Sequence, residues 1–237
     1  MQASAMTRRT VRGFDWNEFW ERTGEGAQMM KGAVRMANRL SKLIDVTGAR
    51  TVADFGCGSG RTLLTLARRY PMVEFSGFDA SSTAVRSCSS EADRSGLQNA
   101  SFAVDTLPRP RCRGRFDIVY SIATLHYVID NRSAMRALYS KVSPGGALVL
   151  NYPNRHTMYG YRRWIKGEGR GQEERYRLVL GGLNLLTRPE IESLLGQGAS
   201  NFWAFVGEPP SMGNPCILVR KPPCGAREWP GPSTRKR

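Results

Sequence analysis

Residues 54–60 read Asp-Phe-Gly-Cys-Gly-Ser-Gly, and this stretch decides the fold. It ends a short apolar β-type run, TVADFG, and precedes a helical pattern over residues 61–70. Glycine at three alternate positions, Gly56, Gly58 and Gly60, lets the backbone adopt conformations closed to other residues and pass close to a ligand. The free N–H groups at the start of the next helix would face that ligand. The sequence therefore predicts a strand, a ligand-binding turn and a helix.

Further β-type runs follow in the order EFSGFD, SFAVD, FDIVYSI and ALVLNY, with helical patterns over residues 81–94 and 131–142. Strands that alternate with helices indicate βαβ crossovers and a parallel sheet with helices on both faces. Two final runs, NFWAFVG and CILVR, flank a turn region rich in Pro and Gly, which predicts an antiparallel hairpin. The predicted fold class is α/β: a doubly wound, mostly parallel sheet of seven strands.

The chain is expected to divide into three parts. Aromatic residues at helical spacing between positions 14 and 20 precede a second helical stretch, so residues 1–45 are predicted to form N-terminal helices that belong to a lid. Residues 46–220 form the main domain. Within it, residues 153–186 are rich in Arg, Tyr and Gly without clean periodicity and are predicted to be an inserted part of the lid. Residues 221–237 are predicted to be a disordered basic tail.

Carboxylates stand at the ends of the first three predicted strands: Asp54, Asp79 and Asp105. In an open α/β sheet the ligand crevice lies outside the carboxyl ends of the strands, so these side chains should converge on one pocket. Such a pocket suits a ligand with hydroxyls, amines and positive charge, and suits a pyrophosphate poorly. A dinucleotide fingerprint, G-x-G-x-x-G, would also need glycine at position 61, where this chain has Arg61.

Five motifs occur in a recognisable order and spacing: DFGCGSG, GFDAS, VDTLP, FDIVYSIATLHYV and SPGGALVLNYP. Over residues 38–220 the chain resembles the class I S-adenosylmethionine-dependent methyltransferases. The resemblance implies a Rossmann-like fold, S-adenosyl-L-methionine as cofactor and methyl transfer as the reaction. The net positive charge of this cofactor fits a pocket with several acids.

The resemblance also implies which residues bind the cofactor. They are Asp54 at its amino group; Gly56, Cys57, Gly58 and Gly60 beneath its methionine part; Asp79 and Ala80 at the ribose; Asp105 and Thr106 at the adenine; and Ser121 and Ile122 near the sulfonium. Cys57 is expected to be a small spacer in the loop and not a nucleophile.

Methyl transfer from a sulfonium depends mainly on alignment, because the donor is already activated, and proximity can supply roughly 7 to 11 kcal/mol at most. If the acceptor carries a proton, His126 after the fourth strand is the candidate base. The alternative is that His126 packs against the cofactor as a shape residue. The candidate lid residues near the substrate are Trp16, Trp20, Tyr152, His156 and Tyr159. His156 is also a second candidate base, and for the tryptophans simple packing is the alternative.

Charge is the other strong signal, with 35 Lys plus Arg against 20 Asp plus Glu and a net charge of +15. Such a surface attracts anionic partners. Arginines interleaved with Tyr and Trp over residues 155–177 would suit RNA. An arginine-rich composition without any function is the alternative explanation.

The function expected from the sequence is methyl transfer to a small or medium-sized metabolite. The alternatives are an RNA (tRNA) methyltransferase and a non-catalytic module that binds S-adenosylmethionine. Enzymes that methylate exocyclic base amines carry a Pro-Pro-aromatic run after the fourth strand, where this chain has Ser121-Ile-Ala-Thr.

Five scattered cysteines and two histidines predict no metal site. No apolar run is long enough for a bilayer or a secretory signal, so no membrane partner and a cytoplasmic location are expected.

Overall fold

The computed structural model describes residues 14–22, 32–167, 169–195, 199–204 and 215–224. Within these ranges, seven strands form one sheet in the order β3-β2-β1-β4-β5-β7-β6. The strands are β1 Thr51–Phe55, β2 Glu74–Asp79, β3 Ala100–Val104, β4 Phe116–Ser121, β5 Val142–Asn151, β6 Ala199–Ala204 and β7 Pro215–Arg220. The expected fold class, a mostly parallel α/β sheet with an antiparallel C-terminal pair, is confirmed.

The order of the strands places the ligand crevice. β1 pairs in parallel with both β2 and β4. β3 lies beyond β2 on one side, and β5, β7 and β6 lie beyond β4 on the other. Asp54 lies in register with Gly77 on one side and with Tyr120 on the other. The carboxyl end of β1 is therefore at the switch point of the sheet, where ligands bind in folds of this kind.

The helices cover both faces of the sheet. They are α1 Trp16–Glu21, α2 Ala33–Leu43, α3 Arg61–Arg69, α4 Ser82–Arg94, α5 Asn131–Ser140, α6 Arg155–Lys166, α7 Glu173–Leu180 and α8 Arg188–Leu195, with a 3-10 turn at Leu125–Tyr127. Side chains of α2 and α3 join one apolar cluster, and side chains of α5 and α8 join the other. The expected helices at 61–70, 81–94 and 131–142 correspond to α3, α4 and α5 with small changes at their ends.

Alternation along the strands divides the core between these clusters. In β5, Ala147 and Val149 face the cluster of α2 and α3, whereas Leu148 and Leu150 face the cluster of α5 and α8. Successive side chains of a strand point to opposite faces, so a central strand with helices on both sides is apolar throughout. This explains the unbroken apolar run ALVL in the sequence.

The segment 153–186, expected to be irregular, instead contains α6 and α7. Asn154 caps α6. Its side-chain oxygen accepts the Thr157 N–H, and the Thr157 hydroxyl oxygen accepts the Asn154 N–H. The buried face of α6 carries Met158, Tyr161 and Ile165, whose spacing of three and four residues is helical. The sequence interpretation missed this period because Tyr and Met stand among arginines in place of branched aliphatic residues.

The prediction that residues 221–237 form a disordered tail is wrong at its first residue, Lys221. The Lys221 backbone N–H donates to the Gly146 carbonyl at 2.8 Å, and its ammonium donates to the Val142 carbonyl at 2.9 Å. Lys221 is thus tied to β5. The remainder of the predicted tail from residue 225 lies outside the described residues, as do residues 1–13 and 23–31 of the predicted N-terminal lid. In the part of the chain that the structure describes, no helix combines the length and apolar character needed to cross a membrane.

Leu148→Ala tests the placement of the core. Leu148 is fully buried in the central part of β5, so truncation should lower the free energy of unfolding by about 2–5 kcal/mol through lost burial and a residual cavity. Chemical denaturation measures this. The control is Leu183→Ala, because Leu183 is 67% exposed and its truncation should change the stability by less than about 0.5 kcal/mol. Equal losses in both variants would contradict the assigned core.

Candidate active site

The glycine loop is pinned to the end of β2. The N–H groups of Gly56 and Cys57 both donate to the Phe78 carbonyl, at 2.7 and 3.0 Å. Gly56 has a φ of 81°, and a Cβ at this position would lie 2.1 Å from the Thr124 hydroxyl oxygen. Glycine is therefore required here both for its backbone conformation and for its lack of a side chain. The loop brings the backbone to the switch point with Thr124 beside it.

Asp79 lies next to this loop at the end of β2. Its Oδ2 accepts the Gly58 N–H at 2.8 Å, and its Oδ1 accepts the Ser81 N–H at 2.9 Å. A carboxylate has about four lone-pair sites, so each oxygen can accept one more hydrogen bond. Asp79 can thus bind two neighbouring hydroxyl groups of one ligand, as a ribose presents them. Ala80, directly after it, is exposed.

Asp54 is 4% exposed at the end of β1. Burial raises the pKa of its carboxyl well above the ordinary value, the Tyr120 hydroxyl lowers it, and the charge of Asp79 raises it. Burial also raises the pKa of Asp79. Among the described residues, no Lys, Arg or His forms an ion pair with either carboxylate. A buried and a half-buried acid without a basic partner favour a ligand that carries positive charge.

Asp105, expected at the adenine, is engaged elsewhere. Its carboxylate accepts N–H groups from Thr106, Arg111 and Cys112 at 2.8 to 2.9 Å. Arg111 donates to both oxygens, so the four lone-pair sites are all used. The side chain therefore holds the loop of residues 106–112, a different role from the one expected. A contact between Thr106 and the adenine remains a prediction.

The turn after β4 also differs from the expectation for Ser121. Its hydroxyl is buried and donates to the Phe55 carbonyl at 2.7 Å, which ties β4 to β1. Ile122 packs partly buried against the cluster of α2 and α3. A sharp bend follows at Ala123, whose φ of 59° is unusual for a residue with a side chain. The Asn151 side-chain oxygen accepts the Ala123 N–H at 2.8 Å. No motif in the sequence predicted this bend.

His126 lies in the 3-10 turn and is 1% exposed. Its ring lies 5.9 Å from the Tyr161 ring and 6.1 Å from the Tyr127 ring, measured between centroids. The Asn184 side-chain amide donates to the carbonyls of Leu125, His126 and Val128, which fixes the turn to the segment after α7. The sequence interpretation missed Asn184. A role of His126 as a base remains a prediction.

The structure brings one of the five expected lid residues to the glycine loop and a second to the turn after β4. The Trp20 indole packs on Gly58, where a Cβ would lie 2.7 Å from its Cζ2. Trp16 packs edge-on against Tyr127, with ring centroids 4.7 Å apart. Their helix α1 docks through Asn17, whose side-chain oxygen accepts the Ser81 hydroxyl at 2.9 Å. This short helix therefore covers the edge of the candidate site beside Asp79.

The other expected lid residues lie elsewhere. Tyr152 is buried in the cluster of α5 and α8, where burial raises its pKa to about 12. His156 and Tyr159 lie on the exposed face of α6, and Tyr159 is 60% exposed. For His156 and Tyr159 the sequence interpretation expected an irregular segment, whereas the structure has a helix that turns only one face inward. A substrate role for Tyr152, His156 and Tyr159 remains a prediction.

Cys57 fits the expected spacer role. Its thiol interacts with Cys88, and this contact together with burial raises the pKa of the Cys57 thiol well above the ordinary value. A raised thiol pKa disfavours the nucleophilic thiolate. Among the residues with described positions, no cluster of three or more His, Cys, Asp or Glu could hold a metal ion.

Residues 47–178 match a family profile described as a methyltransferase domain. The chain belongs to this family. The predicted resemblance to the class I S-adenosylmethionine-dependent methyltransferases is therefore confirmed. A curated relative, trans-aconitate 2-methyltransferase from Deinococcus radiodurans, is 29% identical over 126 residues, which is 53% of this chain and 46% of the relative. The chain spans about half the length of the curated relatives it matches.

Solved structures of methyltransferases share the fold. An O-methyltransferase family protein from Burkholderia thailandensis superposes with a TM-score of 0.64 at 18% identity, covering 86% of this chain and 62% of that one. Magnesium protoporphyrin IX methyltransferase from Synechocystis PCC 6803, solved with bound SAH, gives 0.60 at 18% identity, covering 83% and 84%. At these identities the likeness establishes the fold alone.

Asp79→Asn tests the methyltransferase site. The amide would lose one acceptor oxygen and its NH2 group would face a backbone N–H, so S-adenosylmethionine affinity should fall by about 1–3 kcal/mol. Isothermal titration calorimetry measures this. Asp93→Asn, an exposed change on α4, is the matched control and should leave affinity unchanged. Unchanged affinity in Asp79→Asn would place the cofactor elsewhere.

Asp54→Asn should stabilise the cofactor-free protein at neutral pH. Burial raises the pKa of Asp54 in the folded state, so between about pH 3.9 and this raised pKa the folded chain binds more protons than the unfolded chain. The free energy of unfolding therefore falls as the pH rises through this window. Asn removes that loss. Thermal melts across pH should show a higher Tm for the variant at neutral pH and a gain that shrinks towards acid pH. A constant or negative difference would contradict the assigned burial.

Proposed function

We propose that this chain is a methyltransferase that uses S-adenosylmethionine to methylate a small or medium-sized metabolite. One observation carries the proposal: the buried Asp54 and the half-buried Asp79 both lie at the switch point of a methyltransferase-family sheet, without a basic partner among the described residues. This arrangement fits a ligand with a cationic group and a ribose.

The residues present fit this cofactor. Asp79 would accept the two ribose hydroxyls on its remaining lone pairs, and the negative charge of Asp54 would attract the cationic amino acid part of the ligand. When bound, S-adenosylmethionine supplies an electrophilic methyl group, and the sulfonium becomes a thioether as the methyl is transferred. The chain's own task is to orient the reactants and exclude water. Trp20 over Gly58 and the turn at Thr124 form the walls on either side of the loop.

The names of the relatives support a small acceptor. The curated relatives at 26–29% identity are named trans-aconitate 2-methyltransferase, after a small carboxylic acid. We propose an acceptor of the same general size for this chain. A carboxylate acceptor carries no proton to remove at neutral pH, and such a substrate would need no general base.

Residues 155–177, whose arginines and aromatic residues suggested RNA binding, contribute to the packing of this fold. Arg162 donates through Nε and Nη2 to the Leu180 carbonyl at the end of α7, and Arg177 pairs with Glu174 at 3.0 Å. The rings of Tyr161 and Tyr176 are buried against each other, with centroids 4.5 Å apart. Arg162, Tyr161 and Tyr176 therefore pack α6 against α7, so no stacking surface for bases is needed to explain these residues.

Transfer of isotopic label tests the proposal. The protein is incubated with S-adenosylmethionine labelled in the methyl group and with a cell extract, and the label is then separated into small molecules, RNA and protein. We expect label in small molecules, and a strongly reduced signal when Asp79→Asn replaces the unaltered protein. Label in RNA would overturn the proposed substrate class. Tight cofactor binding without transfer to any fraction would support a non-catalytic module.

A further inference from the structure

Arg175 is a buried cation in the interior of the lid. It lies on α7 and is 9% exposed. Its guanidinium carbon lies 4.8 Å from the ring centroid of Phe19, 5.7 Å from that of Tyr127 and 4.8 Å from that of Tyr176. Aromatic faces attract a cation but compensate only part of the cost of removing it from water.

The hydrogen bonds of Arg175 are incomplete. Nε and Nη2 both donate to the Tyr127 hydroxyl, at 3.2 and 3.1 Å, and Nη1 donates to the Gln172 side-chain oxygen at 3.2 Å. A guanidinium has five N–H groups, which leaves one on each Nη without a partner within the described part of the chain. No carboxylate among those residues pairs with it. N–H groups of a guanidinium are strong donors to a carboxylate.

Two chains of contacts join Arg175 to the glycine loop. On one side, Phe19 packs on Trp20 with ring centroids 5.2 Å apart, and Trp20 packs on Gly58. On the other side, Tyr127 ends the short turn that follows Thr124, which lies against Gly56. The guanidinium therefore lies behind the turn after β4 and beneath α1. This is the side from which an acceptor would approach a methyl group held over the loop.

We propose that Arg175 binds a carboxylate group of the acceptor substrate, with the Tyr127 hydroxyl orienting its guanidinium. The inference rests on the proposed function and specifies the class of substrate: a small aliphatic acid with one or more carboxylates. An incoming carboxylate would accept the remaining N–H groups and neutralise the buried charge. An uncharged isostere, such as the amide, would leave that charge uncompensated.

The test is calorimetric titration of the protein saturated with S-adenosylhomocysteine. The probes are fumarate and citrate, each compared with the corresponding amide. We expect at least one acid to bind and its amide to bind about 10- to 100-fold more weakly. This comparison uses the unaltered protein, so it holds even if a variant fails to fold. Equal binding of acid and amide, or binding of neither, would overturn the inference.

Arg175→Met, which keeps most of the apolar stem, should reduce carboxylate affinity by about 10- to 100-fold. Arg177→Met, two residues along the same helix and on its more exposed side, is the matched control and should bind the acid normally. S-adenosylhomocysteine affinity should stay within about twofold in both variants, because Arg175 lies outside the cofactor residues. If Arg175→Met keeps its carboxylate affinity, this inference is overturned but the proposed function is not. Failure of the unaltered protein to bind S-adenosylhomocysteine would overturn the proposed function and this inference with it.

Discussion

Two carboxylates, the buried Asp54 and the half-buried Asp79, lie at the switch point of the sheet without a basic side chain among the described residues to neutralise them. Removing charge from water costs several kcal/mol per ion unless it is paired. The Gly58 N–H of the glycine loop hydrogen-bonds to Asp79, and the Tyr120 hydroxyl lowers the pKa of Asp54 against the larger effect of burial. A cationic ligand would supply the missing charge.

One short helix connects the two ends of the proposed active site. Through Asn17, α1 docks on the start of α4 beside Asp79; through Trp20 it covers the glycine loop; and through Phe19 it packs on the guanidinium of Arg175. The proposed cofactor end is acidic, and the proposed acceptor end carries the cation of Arg175. Opposite charges at the two ends would orient a cationic donor and an anionic acceptor towards each other, which is the alignment that methyl transfer requires.

The strands and the acids at their ends were predictable because both are local patterns. Asp54 and Asp79 lie where the sequence placed them, since the carboxyl ends of parallel strands share one edge of the sheet. The direction of each side chain was not predictable. Asp105 turns towards its own loop, and the burial of Arg175 depends on rings from three separate elements. The first depends on the exact path of one loop, and the contacts of Arg175 with Phe19 and Tyr127 arise only when distant segments pack together.

The most direct measurement of the central claim counts the protons released when S-adenosylmethionine binds. Titration calorimetry at mildly acidic pH, in buffers of different ionisation enthalpy, gives this number while the ligand's amino group stays protonated. Because burial raises the pKa of Asp54 and Asp79, a cation that binds beside them should lower those pKa values and expel protons into solution. The account predicts release of protons that decreases in Asp54→Asn. Binding without any exchange of protons would contradict it.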